Sequence, residues 1–309
     1  MKRTVASAAL LWVLATGLGC QHDEYARQLI QPNTHPGKVR ENLTGSGDQL
    51  VARNRISEHR VITVGDGTDI DVWTISAREQ DDSAEQPRGT VVVLHGTSES
   101  KATYLGVGRR LSTKGFDVVL PDLRRHGRSG GEVTTYGAKE KQDVKTVMDE
   151  LLAEQVVSEP VYAVGTTLGA ATAILYAAID DRVEGVMVIT PYKDAETMMR
   201  RHLAIMAPAM SAADVREVID RAAEMGDFEL SEASAQEAAP RLDCPLLLIH
   251  GLIDVSVPLE HSETIYRAAN EPKDMRVFKP GPEHMVLIAR WEDWIAERVD
   301  ELVETGLAD

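Results

Sequence analysis

Cysteine is almost missing from this chain. Its 309 residues contain two, Cys20 at the end of an export-type segment and Cys244 far downstream, so no disulfide framework is implied. Neither C-x-x-C nor H-E-x-x-H occurs, and without such ligand spacing no metal site is expected. Positive charge is scarce as well: 33 Lys and Arg stand against 49 Asp and Glu, a formal net charge of -16. No basic stripe relieves that excess, so phosphates would be repelled over most of the surface and nucleic acid is excluded as a partner. Gly106-x-Gly108 lacks the third glycine and the preceding strand of a dinucleotide fingerprint, and no cofactor is expected. Long apolar runs are absent too. The run over residues 5–15 is too short to cross a bilayer comfortably.

What is present is an ordinary globular composition, 43% hydrophobic and 27% charged, enough to bury a full core in one large domain or two small ones. The charged start Met1-Lys-Arg-Thr followed by the short apolar run reads as a signal peptide over residues 1–19. Gly17-Leu-Gly-Cys20 resembles the lipobox of bacterial lipoproteins, although leucine stands two residues before the cysteine instead of three. The resemblance implies lipidation of Cys20 and, after export from a bacterial cytoplasm, contact with a membrane surface through the lipid anchor only. Ordinary signal-peptidase cleavage would instead give a soluble periplasmic or secreted protein. Residues 20–54 are polar and broken by Pro32, Pro36, Gly37, Gly45 and Gly47, which predicts a tether ahead of the domain over 55–309.

Within that domain, β-rich runs at 60–64 and 70–76 flank Gly65-Asp-Gly-Thr68 and predict a hairpin. Thr90-Val-Val-Val-Leu94 is apolar throughout, as suits a strand buried on both faces. Strands at 116–120, 161–164, 183–190, 245–250 and 275–279 then alternate with helical patterns at 101–114, 136–154, 170–178, 259–269 and 285–305. That rhythm defines the fold class as α/β, a mostly parallel sheet covered on both sides. Residues 191–243 interrupt it with helical periods at 195–206, 212–225 and 232–239, read as an inserted helical cap. Its Met198, Met199, Met206, Met210 and Met225 either line an apolar acyl site, for which methionine is adaptable, or pack the cap itself.

The chemistry centres on Val161-Tyr-Ala-Val-Gly-Thr-Thr-Leu-Gly169, a strand, a tight turn and a helix in immediate succession. Gly165 and Gly169 flank Thr167 as glycines do in a G-x-S-x-G nucleophile elbow, where any side chain would collide with a neighbouring element. Threonine stands where serine is usual. Its β-branched side chain is stiff at χ1 and its hydroxyl is more hindered, yet threonine nucleophiles are known. Leu168 N-H, next to the elbow residue, is free to hold an oxyanion.

From about residue 60 onward the chain resembles the α/β-hydrolase superfamily, most strongly the monoacylglycerol-lipase-like and serine-aminopeptidase-like esterases with a helical cap. His95-Gly96 after the first buried strand matches the family's oxyanion loop and implies Thr97 N-H as the second oxyanion donor. Asp122-Leu-Arg-Arg-His-Gly-Arg-Ser-Gly130 is similar to the family segment D-x-R-G-H-G-x-S, with Arg125 in place of a glycine, and carries no chemistry. Gly251-Leu-Ile-Asp254 with Val257-Pro258 matches the acid-bearing loop and makes Asp254 the acid. Gly281-Pro-Glu-His284 lies where the family places its histidine and makes His284 the base. His126 and His250, beside glycines at loop starts, and Glu99, Glu140 and Asp143, read as helix-start or surface carboxylates, are weaker candidates.

The resemblance thus implies a cofactor-independent hydrolase of carboxylic esters or related small acyl substrates, with Thr167, His284 and Asp254 as its triad. An imidazole must take the proton of the attacking alcohol, the carboxylate fixes the imidazole, and two amides hold the oxyanion. Two alternatives stay open: a binding or scaffolding lipoprotein on the same fold, and a hydrolase in which His284 and Asp254 activate water directly. Oligomeric state is not legible in the sequence.

Overall fold

The computed structural model describes residues 21–31, 51, 56–77, 86–279 and 290–307. Cys20 and His284 lie outside the described residues. Among the described residues, eight strands form one sheet: β1 (Glu58–Thr63), β2 (Asp69–Ile75), β3 (Thr90–Leu94), β4 (Asp117–Pro121), β5 (Val161–Thr166), β6 (Val183–Ile189), β7 (Leu246–Gly251) and β8 (Lys273–Phe278). Their order across the sheet is β1-β2-β4-β3-β5-β6-β7-β8. β1, β2 and β4 pair antiparallel, and from β4 to β8 every pairing is parallel.

The continuous apolar runs follow from burial on both faces. Val92, Ala163, Val186 and Leu248 enter one core, while Val91, Val93, Val164 and Leu247 enter the other. Successive residues of a strand point to opposite sides, so neither face leaves room for polar alternation. The second core is covered by α2 (Leu105–Thr113) and α9 (Trp291–Thr305), which also pack on each other. The first is covered by α3 (Glu140–Ala153), α4 (Leu168–Ala177), α8 (Glu260–Ala268) and the helical insertion.

One expectation changes, and a choice left open is narrowed. The predicted tether begins as a helix, α1, over residues 21–30, with Ala26, Leu29 and Ile30 buried in the first core. Tyr136 Oη donates to Leu29 O (2.9 Å) and Thr134 N-H to Ile30 O (2.8 Å), which fixes the helix end to the loop before α3. Its few apolar residues recur at helical spacing, and a neighbouring surface supplies the burial that a ten-residue helix needs. The choice concerns the insertion, which is built from α5 (Ala195–Met206), α6 (Ala212–Gly226) and a short α7 (Ala235–Ala238). Met198 and Met199 are buried in the first core and Met210 and Met225 pack against it. These methionines fill the interior between the insertion and its neighbours.

Candidate active site

Thr167 sits between β5 and α4 at φ 50°, ψ −102°, a region that costs a β-branched residue about 1–3 kcal/mol. Two hydrogen bonds hold it there. Thr167 N-H donates to Ile189 O (3.0 Å) and Gly169 N-H to His95 O (3.1 Å). The two glycines admit the approach: a Cβ on Gly165 would lie 2.1 Å from Gly169 O, and one on Gly169 would lie 2.1 Å from Leu94 O. Any larger residue would push the elbow off the strands that aim it. Leu168 N-H opens α4, where the helix dipole adds positive potential. Among the described residues no acceptor is bonded to Leu168 N-H or to Thr97 N-H.

The loop bearing Thr97 is braced by buried side chains. His95 is fully buried, its Nδ1 donating to Gly96 O (2.8 Å) and its Nε2 accepting from Leu123 N-H (3.0 Å). Burial, aided by the nearby His126, lowers its pKa to about 3. His126 spans Thr97 O (2.7 Å) and Arg124 O (2.9 Å), so it ties the candidate oxyanion loop to the segment after β4. That segment is structural, as expected. Arg125 adopts φ 66°, the left-handed conformation that explains a glycine at the matching family position. Asp122 accepts from Lys101 N-H and Arg128 N-H (2.8 Å each) and pairs with the buried Lys101 ammonium.

Glu99 departs from its expected surface role. Its Oε2 accepts from Gly96 N-H (2.8 Å), Tyr104 Oη (2.8 Å) and Thr166 Oγ1 (3.4 Å), and Tyr104 Oη also meets Thr166 Oγ1. One carboxylate therefore ties the oxyanion loop to the residue before the elbow. Burial, with Glu99 adding to it, pushes the Tyr104 hydroxyl well above its ordinary range and keeps it a neutral donor. Glu140 and Asp143 are indeed at a helix start but buried. Glu140 caps α3 by accepting from Thr135 N-H and Gly137 N-H (2.8 Å each), and Asp143 binds Arg124 through both oxygens.

Asp254 stands three residues beyond β7, half-buried. Its Oδ1 accepts from Ser256 N-H (2.7 Å) and Val257 N-H (2.8 Å), which fixes the loop and leaves Oδ2 for another partner. Buried His250 supports it from below, with Nε2 donating to Val257 O (2.8 Å) and Nδ1 accepting from Ser262 Oγ (2.7 Å). From the insertion, Arg201 Nε donates to Ser256 O (2.8 Å).

Thr167, Thr97, Glu99 and Asp254 line one cavity of about 800 Å³. Its walls are apolar: Ile189 and Ile249 at strand ends, Ile253 and Val255 on the acid loop, and Phe278, Trp291, Trp294 and Ile295 beyond. Among the described residues none of 191–243 lines it, so of the two roles open to the insertion's methionines it is packing, not an acyl surface, that the structure supports. Tryptophans of α9 take that place. Sequence reasoning missed Tyr104 and ranked Glu99, His126 and His250 only as weaker candidates. The signal for the histidines was the repeated His-Gly pair at 95–96, 126–127 and 250–251, each at a strand end or loop where a buried ring ties backbone together.

Residues 85–225 match the family described as serine aminopeptidase, S33. The chain is 24% identical over 220 residues to the uncharacterized protein YqkD of Bacillus subtilis, covering 70% of this chain and 71% of that one. It is 27% identical over 268 residues to a monoacylglycerol lipase of Mycolicibacterium smegmatis, covering 74% and 90%. Among solved structures, an esterase of Pyrococcus furiosus, Pf2001, superposes with a TM-score of 0.60 at 24% identity, covering 81% and 91%. The α/β hydrolase GrgF from Penicillium gives 0.59 at 17% identity, covering 82% and 99%. With the sheet order and elbow, these matches define the class of fold: the chain has the α/β-hydrolase fold and is similar to members of that superfamily.

Proposed function

We propose that the protein is a hydrolase of carboxylic esters or closely related acyl substrates, with Thr167 as nucleophile, His284 as base and Asp254 as acid. The observation that carries this reading is the elbow itself. A β-branched residue is held at φ 50° by two glycines that can be nothing else, beside a cavity into which Asp254 also faces. Such strain needs a reason, and exposing a hydroxyl beside two amides that have no acceptor among the described residues supplies one. In the proposed reaction His284 takes the Thr167 proton as Oγ1 attacks the acyl carbon, and Thr97 N-H and Leu168 N-H hold the oxyanion. The proton passes to the leaving group, and water then releases the acyl group by the same route. The apolar walls favour an aliphatic or aromatic acyl group over a charged one. Support from known proteins comes from the monoacylglycerol lipase relative and the esterase with the similar fold.

A fluorophosphonate probe tests this directly. Labelling should map to the peptide carrying Thr167 and disappear in Thr167→Ala. A probe that labels nothing, in a protein that binds ligand in this cavity, would favour the non-catalytic reading. We also propose that the protein is exported and lipidated at Cys20; an unmodified mature N-terminus downstream of Cys20 in mass spectrometry would reject this.

A further inference from the structure

Helix α1 meets α6 through an unusual contact. His22, in the first turn of α1, is 8% exposed, and its Nδ1 is buried without a hydrogen-bond partner. Two carboxylates from the first turns of α6 flank the ring: Glu217 Oε1 lies 3.4 Å from Nδ1 and Asp214 Oδ1 lies 3.6 Å from Nε2. Asp214 and Glu217 are three residues apart on the helix and so share one face. Beside them is a cavity of about 460 Å³ lined by His22, Asp23, Glu217, Asp220, Arg221 and Glu224.

A buried ring nitrogen with nothing to bond is costly, and the cavity it borders is strongly acidic. Among the described residues lining it, the one arginine or lysine is bound elsewhere. Arg221 is committed to Asp23 (2.8 Å) and Glu224 (2.7 Å), which leaves Asp214, Glu217 and Asp220 uncompensated around the ring. Ser211 Oγ donates to Asp214 Oδ2 (2.7 Å), so Asp214 is oriented through one oxygen and keeps Oδ1 for the site.

We propose that His22, Asp214 and Glu217 form a binding site for a divalent transition metal of the zinc type, which clamps the N-terminal helix to the insertion. Imidazole with two carboxylates is a donor set suited to zinc and its neighbours and poor for magnesium or calcium, which prefer oxygen alone. One donor atom from each residue can be chosen so that all three lie within 4.8 Å of one another. Ligands about 2.1 Å from a tetrahedral ion stand about 3.4 Å apart. The pair formed by His22 Nδ1 and Glu217 Oε1 already has that edge. Asp214 faces the other ring nitrogen and closes the triad by rotating its side chain, and the fourth position opens to the cavity for water. Zinc motifs do not reveal such a site, because its ligands come from two helices far apart in the chain.

The test uses the purified full-length protein, stripped with chelator and desalted, then titrated with zinc against a chromophoric competitor. One equivalent should bind, and binding should weaken at least tenfold in Glu217→Gln and in His22→Ala. Zinc should raise the melting temperature of the wild type and leave both variants unmoved, with circular dichroism verifying that each is folded. Cobalt should give the intense visible bands of a tetrahedral site. Equal zinc binding by wild type and the folded Glu217→Gln variant would overturn the proposal. So would a wild type whose melting temperature ignores zinc and chelator alike, since the three groups would then be a helix–helix contact only.

Discussion

Thr167 concentrates the chemistry and the strain in one residue. Serine at this position would offer the same hydroxyl without the methyl group that crowds χ1. Thr167→Ser is therefore expected to raise kcat toward a small activated ester, while Thr167→Ala retains only the turnover that binding and the amides provide. Steady-state kinetics on the three proteins decide the matter. Full activity in Thr167→Ala with a dead His284→Ala would show that water, activated by His284, is the nucleophile. Glu99 is the residue that the sequence concealed, because a carboxylate two residues after Thr97 reads as a surface group until Gly96, Tyr104 and Thr166 are seen to converge on it. Glu99→Ala removes that acceptor and leaves buried donors unpaired, each worth about 1–3 kcal/mol. It should lower kcat by roughly tenfold or more, by the same free energies, whereas Glu99→Gln keeps an acceptor oxygen and should recover most of it. Equal kinetics in the alanine and glutamine variants would show that Glu99 does not position the oxyanion loop.

At the scale of elements, what the sequence revealed depended on where the burial comes from. Strands β3 to β7 were legible because two buried faces demand unbroken runs of Val, Ile and Leu. The elbow was legible because only glycine tolerates a Cβ contact of 2.1 Å on either side of Thr167. Helix α3 starts at Glu140, later than its period suggested, because Tyr136 and Gly137 take positive φ and a cap of buried hydrogen bonds sets the first turn. Helix α1 was hidden for a different reason: Gln21, Asp23, Glu24, Arg27 and Gln28 outweigh its apolar residues, and Pro32 follows at once. Its three buried apolar side chains matter only because the first core receives them. If α1 is part of the fold, Leu29→Ala should cost about 2–5 kcal/mol in denaturant unfolding, as for other buried leucines. A loss under about 0.5 kcal/mol, the range of surface substitutions, would return this segment to the status of a tether.

For the whole molecule, acidity should act on stability through histidines that hold the site's loops together. His95 has no room for a charge: its Nε2 lone pair accepts Leu123 N-H, and His126, Asp122 and Lys101 surround it. In the folded protein it resists protonation down to about pH 3, while in the unfolded chain it protonates near its ordinary 6.5. Below pH 6.5 the unfolded state therefore binds the extra proton, and stability that is complete above 6.5 is lost progressively toward pH 3. His202 and His261, both lowered by burial, act in the same direction. One carboxylate enters with the opposite sign: burial raises Asp143 to about 6, so the folded state takes up its proton before the unfolded chain does and offsets part of the loss, whereas Asp66 enters later. Burial alone would raise Asp66, but hydrogen bonds from Thr68 and Arg124 hold it at about 2, so its contribution fades only below its ordinary 3.8. The window from pH 6.5 to 5 thus holds the histidines and, with opposite sign, Asp143, and His95 alone should account for about 2 kcal/mol across it. Urea unfolding of wild type and His95→Gln at pH 7 and pH 5 isolates that share as a difference of differences. The variant starts less stable because Gln cannot reproduce both ring bonds, yet it should lose about 2 kcal/mol less on acidification than the wild type does. Parallel losses in the two proteins would mean that His95 is protonated in the fold, and the oxyanion loop would then have to tolerate a buried cation beside it.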